Sequence, residues 1–390
     1  MKILYITTAY ILKNSSAAIR NNSLVNGLCE LGHDVDVLTV KWPDELHSDY
    51  LLNEAKGNII SYELQNLRKI SKLKVSSLGK ASSSKIISRF KTLVKKLIFF
   101  PDECYELSKV VKYKDLLCYD NVITSSDHKS SHYVGLKLKT IKPKINWIQV
   151  WGDPWSSDVN TLPILKGLYG LHEKSLLHAA DKVIYISTAT REFMVQKHPR
   201  LGNKLQYIPR GFFCRVETNT LNNNPIKIVY TGILSFGRNI ENLLSAISLN
   251  PNYNIEVHVY GDASNVAMSL TEKYKCLKVF PSVSQTELIK VYSDTSILLY
   301  LSNSRSSSQI PGKLYDYMGT NRPVLCLVHD TNDLISQFLK KHDRCFLCEN
   351  TMSEILTNFD SITSLADKIY PINEEYSPKS IAEQFNHFLV

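Results

Sequence analysis

The run Ile297-Leu-Leu-Tyr-Leu301 is followed by Ser304-Arg-Ser-Ser-Ser-Gln-Ile-Pro-Gly-Lys-Leu-Tyr-Asp-Tyr-Met-Gly319 and then by Arg322-Pro-Val-Leu325. A short apolar run, a polar loop, a helix over Leu314–Met318 and a second apolar run over Val324–Val328 spell strand, helix, strand. Such a unit has parallel strands and a right-handed crossover. Pro311 suits the first helical position. The free backbone N–H groups there, that of Gly312 included, join the helix dipole in an anion site. Lys313 adds a mobile cation and Arg305 a second. Asp316 lies one turn on, where a carboxylate accepts bonds from ribose hydroxyls. The bland alternative is a capped surface helix carrying one ion pair.

Working backward, Tyr230-Thr-Gly-Ile-Leu-Ser-Phe-Gly-Arg-Asn239 repeats the theme. A strand ends at Thr231-Gly232, a loop carries Gly237 and Arg238, and a helix begins near Asn239. A guanidinium at a helix mouth binds a diphosphate as a fork. Further strands are expected over Ile226–Tyr230, Ile255–Tyr260, Leu277–Phe280 and Cys345–Leu347, with helices over Ile240–Ser248 and Gln285–Tyr292 between them. The first half reads alike, with strands over Ile3–Thr7, Asp34–Val40, Asn121–Thr124, Ile145–Val150 and Val183–Ser187. Ser15 or Ser16 caps its first helix, and a long helix spans roughly Pro163–Ala180. Strands alternating with helices imply parallel sheets. The reading is α/β, with two Rossmann-like domains facing across a cleft. They divide near Pro209-Arg210-Gly211 into 1–208 and 209–390, the last helix packing back on the first domain.

The 390 residues exceed one ordinary core, and 44% hydrophobic with 21% charged residues suits a globular protein. No stretch approaches the roughly 18–20 apolar residues of a membrane helix. Met1-Lys2 and the short run after it read as a first buried strand and not as a signal peptide. The eight cysteines are scattered. Cys345 and Cys348 form a lone pair of the C-x-x-C kind, short of a zinc ligand set, and a reducing compartment is expected. The net charge of +9 is concentrated: the segment 64–101 holds ten cations and no acid, so the rest of the chain is near neutral. No nucleic-acid motif accompanies this charge. The bland reading is a solvated insertion, and the sharper one is a patch for anionic lipid head groups at a membrane surface, with an acceptor groove for an acidic polysaccharide as the alternative use of the same charge.

Taken in order, these motifs resemble the family 4 retaining glycosyltransferases of the GT-B fold, of the bacterial cell-surface polysaccharide type. The residues are Tyr230-Thr-Gly, Gly237-Arg-Asn, Asn242-Leu-Leu, Ile310-Pro-Gly-Lys-Leu-Tyr-Asp-Tyr and Arg322-Pro-Val-Leu. Val183-Ile-Tyr-Ile-Ser, Ile208-Pro-Arg-Gly-Phe212 and Gly152-Asp-Pro-Trp155 agree with the family's first domain and linker. The resemblance covers nearly the whole chain outside the basic segment. It implies retaining transfer from a nucleoside-diphosphate sugar, generally with no required metal or other cofactor. The family's second-domain signature, Glu with a second Glu further on, falls here on Ser308 and Asp316. The first has lost its charge, and the second is a shortened carboxylate. A lysine common after the glycine-arginine loop is replaced by Leu243. Arg238 and Lys313 therefore form the expected phosphate pair, with Gly237, Gly312 and Arg305 beside them.

The first domain is expected to supply the acceptor side. Asp153, just after a strand, orients the acceptor hydroxyl or acts as base, and otherwise serves as a turn before Pro154. His132 or His128, in Ser125-Ser-Asp-His-Lys-Ser-Ser-His132, hydrogen-bonds sugar or acceptor, and otherwise is structural. Asn14, Ser15 and Ser16 stand in for a Gly-Gly missing from the loop after the first strand. The expected function is transfer from a nucleotide sugar to a glycan or lipid-linked acceptor in surface polysaccharide synthesis. The expected location is cytoplasmic, peripheral on the inner face of the cell membrane, with no nucleic-acid partner. The rivals are a sugar-nucleotide epimerase and a non-catalytic binding scaffold of the same fold. A dinucleotide dehydrogenase is disfavoured, because no G-x-G-x-x-G follows the first strand.

Overall fold

A computed structural model of the chain describes every residue except 14, 68–92, 159–160, 219–223, 235–236, 262–264 and 303–309. The chain forms two units, Met1–Gly211 with Ser377–Val390, and Phe212–Tyr376.

The first unit holds β1 (Lys2–Ile6), β2 (Asp34–Val40), β3 (Asn58–Tyr62), β4 (Asn121–Ser125), β5 (Asn146–Trp151), β6 (Lys182–Tyr185) and β7 (Leu205–Tyr207). They make one parallel sheet in the order β3-β2-β1-β4-β5-β6-β7. The second unit holds β8 (Ile226–Thr231), β9 (Ile255–Tyr260), β10 (Leu277–Phe280), β11 (Ile297–Leu301), β12 (Val324–Val328) and β13 (Cys345–Glu349). Its sheet is parallel in the order β10-β9-β8-β11-β12-β13. Both sheets reverse their strand order once, between β1 and β4 and between β8 and β11. A crevice opens at the carboxyl ends of the strands at such a reversal.

The strands form because their side chains are buried on both faces. Leu4 and Ile6 enter one core with Leu38, Val122 and Trp147, while Ile3 and Tyr5 enter the other with Val37, Ile123 and Ile148. Alternation across a sheet covered on both sides produces continuous apolar runs. β3 and β7 lie at the two edges and were not among the expected strands.

The helices that bear on the sites are α1 (Ser16–Glu30), α2 (Ser130–Ile141), α3 (Lys166–Ala179), α4 (Glu241–Leu249), α5 (Gln285–Ser293), α6 (Gly312–Met318) and α7 (Pro378–Asn386). Ser15 caps α1, its Oγ accepting from the Ala18 N–H at 3.2 Å. α7 lies against α1, burying Ile381, Ala382 and Phe385 with Leu24 and Leu28. The approach is close at Gly27, where a Cβ would stand 2.0 Å from the Pro378 carbonyl oxygen. Gly27→Ala is expected to push the two helices apart and to cost about 1–3 kcal/mol, read from the midpoint of chemical unfolding. An unchanged midpoint would show that α7 contributes little to the first unit.

Candidate functional site

In the second unit, the residues after β8 and β11 meet at the strand reversal. Lys313, in the first turn of α6, reaches back to the end of β8. Its Nζ donates to the Thr231 carbonyl at 2.5 Å and sits 4.0 Å from the centre of the Tyr230 ring. Gly232 makes room. Its φ is +124°, and a Cβ there would lie 2.8 Å from Lys313 Nζ. Arg238, in the loop before α4, donates from Nη1 to the Ile233 carbonyl at 2.8 Å. Burial and then the nearby Arg238 charge lower the Lys313 ammonium to a pKa of about 7. Among the described residues neither cation forms an ion pair. Two like charges brought together without a counter-charge are unfavourable alone and favourable around an anion.

The frame around the pair is polar and well braced. The Tyr317 hydroxyl of α6 donates to Leu299 O at 3.2 Å and bonds Thr231 Oγ1 at 3.1 Å, tying α6 to both β11 and β8. Tyr292 of α5 packs edge-on against Tyr317 at 5.8 Å. Burial chiefly, with Asp316 adding to it, holds both phenols above their usual range. Asp316 is half-buried, and Gly237 lies in the turn before Arg238. Pro311, expected at the first helical position, instead precedes the helix, and Gly312 is its first residue. Arg305 and Ser308 lie outside the described residues.

In the first unit a second polar cluster occupies the β1/β4 reversal. Arg20 of α1 donates from Nη2 to Asp127 Oδ1 at 2.7 Å and to Ser125 Oγ at 3.1 Å. Asn21 donates to Asp127 Oδ2 at 2.9 Å and accepts from the Tyr5 and Ser125 hydroxyls at 2.9 and 2.8 Å. Opposed to burial, the Arg20 charge and these bonds hold the Asp127 carboxyl below the usual range. None of these partners was legible as a site in the sequence. Arg20 and Asp127 stand 107 positions apart, and only the fold joins them.

Asp153 follows β5 beside this cluster. Its Oδ1 is buried and has no hydrogen-bond partner among the described residues. Burial, and then the neighbouring Asp158, raise its pKa, while Lys129 and Arg20 partly offset them. Glu173 of α3, also unforeseen, holds the turn. It is fully buried and accepts from Trp155 N at 2.5 Å, Ser156 Oγ at 2.7 Å and Lys197 Nζ at 3.0 Å. A carboxyl with a raised pKa and an oxygen without a partner among the described residues is suited to taking a proton from a hydroxyl.

The two histidines differ. His132, on the inner side of α2, has no exposed surface, bonds Thr124 Oγ1 at 2.7 Å and stacks on Trp151 at 4.6 Å. Burial, then Lys129, drives its pKa well below the usual value. It is a neutral packing residue here, walled off from any substrate, because the helix that follows β4 turns it inward. His128 bonds Thr8 Oγ1 at 2.7 Å and faces Glu103 at 3.8 Å. Burial works against its charge, but Glu103 and Asp102 outweigh it and raise its pKa. His128 also lines a cavity of about 500 Å³ with Asp102, Glu103, Trp155, Asp158 and Tyr169. Of the loop after β1, Ser15 is spent on the cap, Ser16 accepts from Arg210 at 2.7 Å, and Asn14 lies outside the described residues.

Among the described residues no cluster of His, Cys, Asp or Glu is placed to hold a metal ion, and no helix is long and apolar enough to cross a membrane.

No protein-family model matches the chain, and neither does any curated protein. Solved structures match it over nearly its full length. A glycosyltransferase from Rickettsia africae matches with a TM-score of 0.61 at 15% identity, over 99% of this chain and 97% of that one. TarM matches with a TM-score of 0.64 at 12% identity, over 99% and 98%. A Staphylococcus aureus TarM structure that also matches, at 0.58 and 11% over 99% of each chain, contains UDP, α-GlcNAc-glycerol and fondaparinux. A UDP-N-acetylglucosamine 2-epimerase described as such in provisional terms, from Listeria monocytogenes, matches at 0.55 and 11% over 99% and 94%. These likenesses establish the fold as the two-domain, Rossmann-like GT-B type.

Proposed function

We propose that the chain is a retaining glycosyltransferase acting on a nucleoside-diphosphate sugar, with a glycan or lipid-linked acceptor, in surface polysaccharide synthesis at the cytoplasmic face of the cell membrane. The observation that carries this reading is the Lys313–Arg238 pair at the strand reversal of the second unit, in a fold shared with glycosyltransferases. The diphosphate is the leaving group. Lys313 and Arg238 neutralise the charge that grows on it as the glycosidic bond breaks. Lys313, charged once the diphosphate is bound, and Arg238 are the cations that meet that leaving group. Asp316 holds the ribose. In the first unit Asp153 receives the acceptor hydroxyl proton, and the Arg20–Asp127 network fixes the floor beneath it.

The test is incubation with a panel of nucleotide sugars, scored for released nucleoside diphosphate and for glycosylated product. Release is expected with at least one donor, and a thermal shift with the matching diphosphate. Conversion of the donor to an epimer without release would favour the epimerase reading, which the likeness to the epimerase structure motivates. No stabilisation by any diphosphate would leave a scaffold. Asp316→Asn keeps the shape and one accepting oxygen, and is expected to weaken donor binding by about 1 kcal/mol without altering stability. Intact donor affinity, by calorimetric titration, would remove Asp316 from the site.

A further inference from the structure

The surface beside the first unit's cavity departs from what a soluble domain shows. Ile164, Leu168 and Leu171 stand at i, i+4 and i+7 along and just before α3, with Ile164 73% and Leu171 71% exposed. The other side of α3 buries Tyr169, Leu176 and Leu177 in the core. A surface helix normally turns polar residues outward, so α3 is apolar on two faces. Residues 93–98 are helical as well, and there Val94, Leu97 and Ile98 are exposed, the last at 63%. The neighbouring Leu93 and Phe100 pack against the core. The Phe100 ring lies 4.6 Å from His172 and 6.1 Å from Tyr169, so the two apolar stretches adjoin. Lys95, Lys96, Phe99 and Tyr169 together line the cavity between them.

The charges have one sign. Lys95, Lys96, Lys166 and Lys174 flank the apolar side chains, and the one acid within 93–98 and 163–174 is Glu173, which is buried. The acids Asp102, Glu103 and Asp158 line the cavity itself. Exposed leucine and isoleucine framed by lysine are the pattern of an element lying in a bilayer interface, where apolar insertion and attraction to anionic head groups act together.

We infer that this face of the first unit rests on an anionic lipid bilayer, and that the cavity it surrounds takes the sugar head of a lipid-linked acceptor. The inference rests on the glycosyltransferase reading for the nature of the acceptor, but the docking itself does not. Head-group phosphates meet Lys95 and Lys96 at the rim. The acids and His128 inside accept and donate to hydroxyls, which a neutral sugar offers and a lipid tail does not.

The test uses the full chain with vesicles of phosphatidylcholine alone and of phosphatidylcholine with phosphatidylglycerol. Co-sedimentation is expected with the anionic vesicles, falling as salt rises. Ile98→Glu combined with Leu171→Glu is expected to lower the bound fraction by about tenfold or more, since each exchange replaces an inserting side chain by a like charge to the lipid. Both positions are exposed, so thermal stabilisation by nucleoside diphosphates is expected to persist in the variant. That readout separates the two hypotheses: wild-type vesicle binding without any nucleotide effect sinks the transferase reading alone. No preference for anionic vesicles, or equal binding by the variant, would overturn the docking surface. So would a dimer in size-exclusion chromatography that the same two substitutions dissolve, because the apolar face would then belong to a second copy.

Discussion

Asp153→Asn is expected to lower the rate of sugar transfer by about 10²–10⁴-fold, the range for removing a general base, while leaving nucleoside-diphosphate affinity unchanged. The exchange keeps the turn before Pro154, since asparagine suits turns as well as aspartate does. What it removes is the buried carboxylate oxygen at that turn, which lacks a partner among the described residues. Two further signs follow from its raised pKa. A base works when deprotonated, so wild-type transfer is expected to rise with pH through that raised value, and the variant to lose this limb. Stability moves oppositely. The folded carboxyl holds its proton more tightly than the unfolded one, so its contribution is present at low pH and is lost as pH climbs through the folded pKa. Near neutral pH, Asp153→Asn is therefore expected to unfold no more easily than wild type. A variant that is stable and transfers sugar at the wild-type rate would reduce Asp153 to a turn residue.

Much of this framework was readable from residue order. Asp34–Val40, Ile255–Tyr260, Leu277–Phe280, Ile297–Leu301 and Val324–Val328 appear as strands with the ends the apolar runs suggest. A strand buried on both faces leaves that continuous signal. β3, Asn58–Tyr62, is half-exposed at an edge, and β7 has three residues, so neither carries enough apolar pattern to stand out. Lys313 and Arg238 stand out in the sequence because each follows a strand end closely, Arg238 in a glycine-containing loop and Lys313 at the start of a helix. Arg20, Asn21 and Asp127 were not, because a sequence shows no pairing between the start of one helix and the end of a distant strand. Glu173 was hidden for a related reason: a glutamate in a helix is ordinarily solvated, and only the closed fold turns this one onto the Asp153 turn. His132 misled because its place after a strand suggested access, whereas α2 begins before it and rotates the ring beneath Trp151.

Lys313→Ala is expected to weaken nucleoside-diphosphate binding by about 1.5–3 kcal/mol, roughly 10- to 150-fold, at a pH where the lysine is charged. The pH dependence tests the assignment more sharply. In the free protein Lys313 titrates at about 7, held down by burial and by Arg238. A bound diphosphate favours the ammonium and raises that value. Binding above pH 7 must then take up a proton, and wild-type affinity is expected to fall with rising pH by up to about tenfold per unit. Calorimetry in two buffers of different ionisation enthalpy reads the uptake directly. Lys313→Ala is expected to lose both the uptake and the slope. Arg238→Ala removes the second proposed phosphate contact and also the nearby charge, so it is expected to weaken binding while moving the onset of the slope to higher pH. Stability gives an independent sign. Between about 7 and the ordinary lysine range the unfolded chain holds the proton that the folded chain has released, so stability rises with pH there, and the alanine variant is expected to lack that rise. Equal affinity for wild type and both variants across this range would place the diphosphate elsewhere and leave the Lys313–Tyr230 contact as a brace for α6.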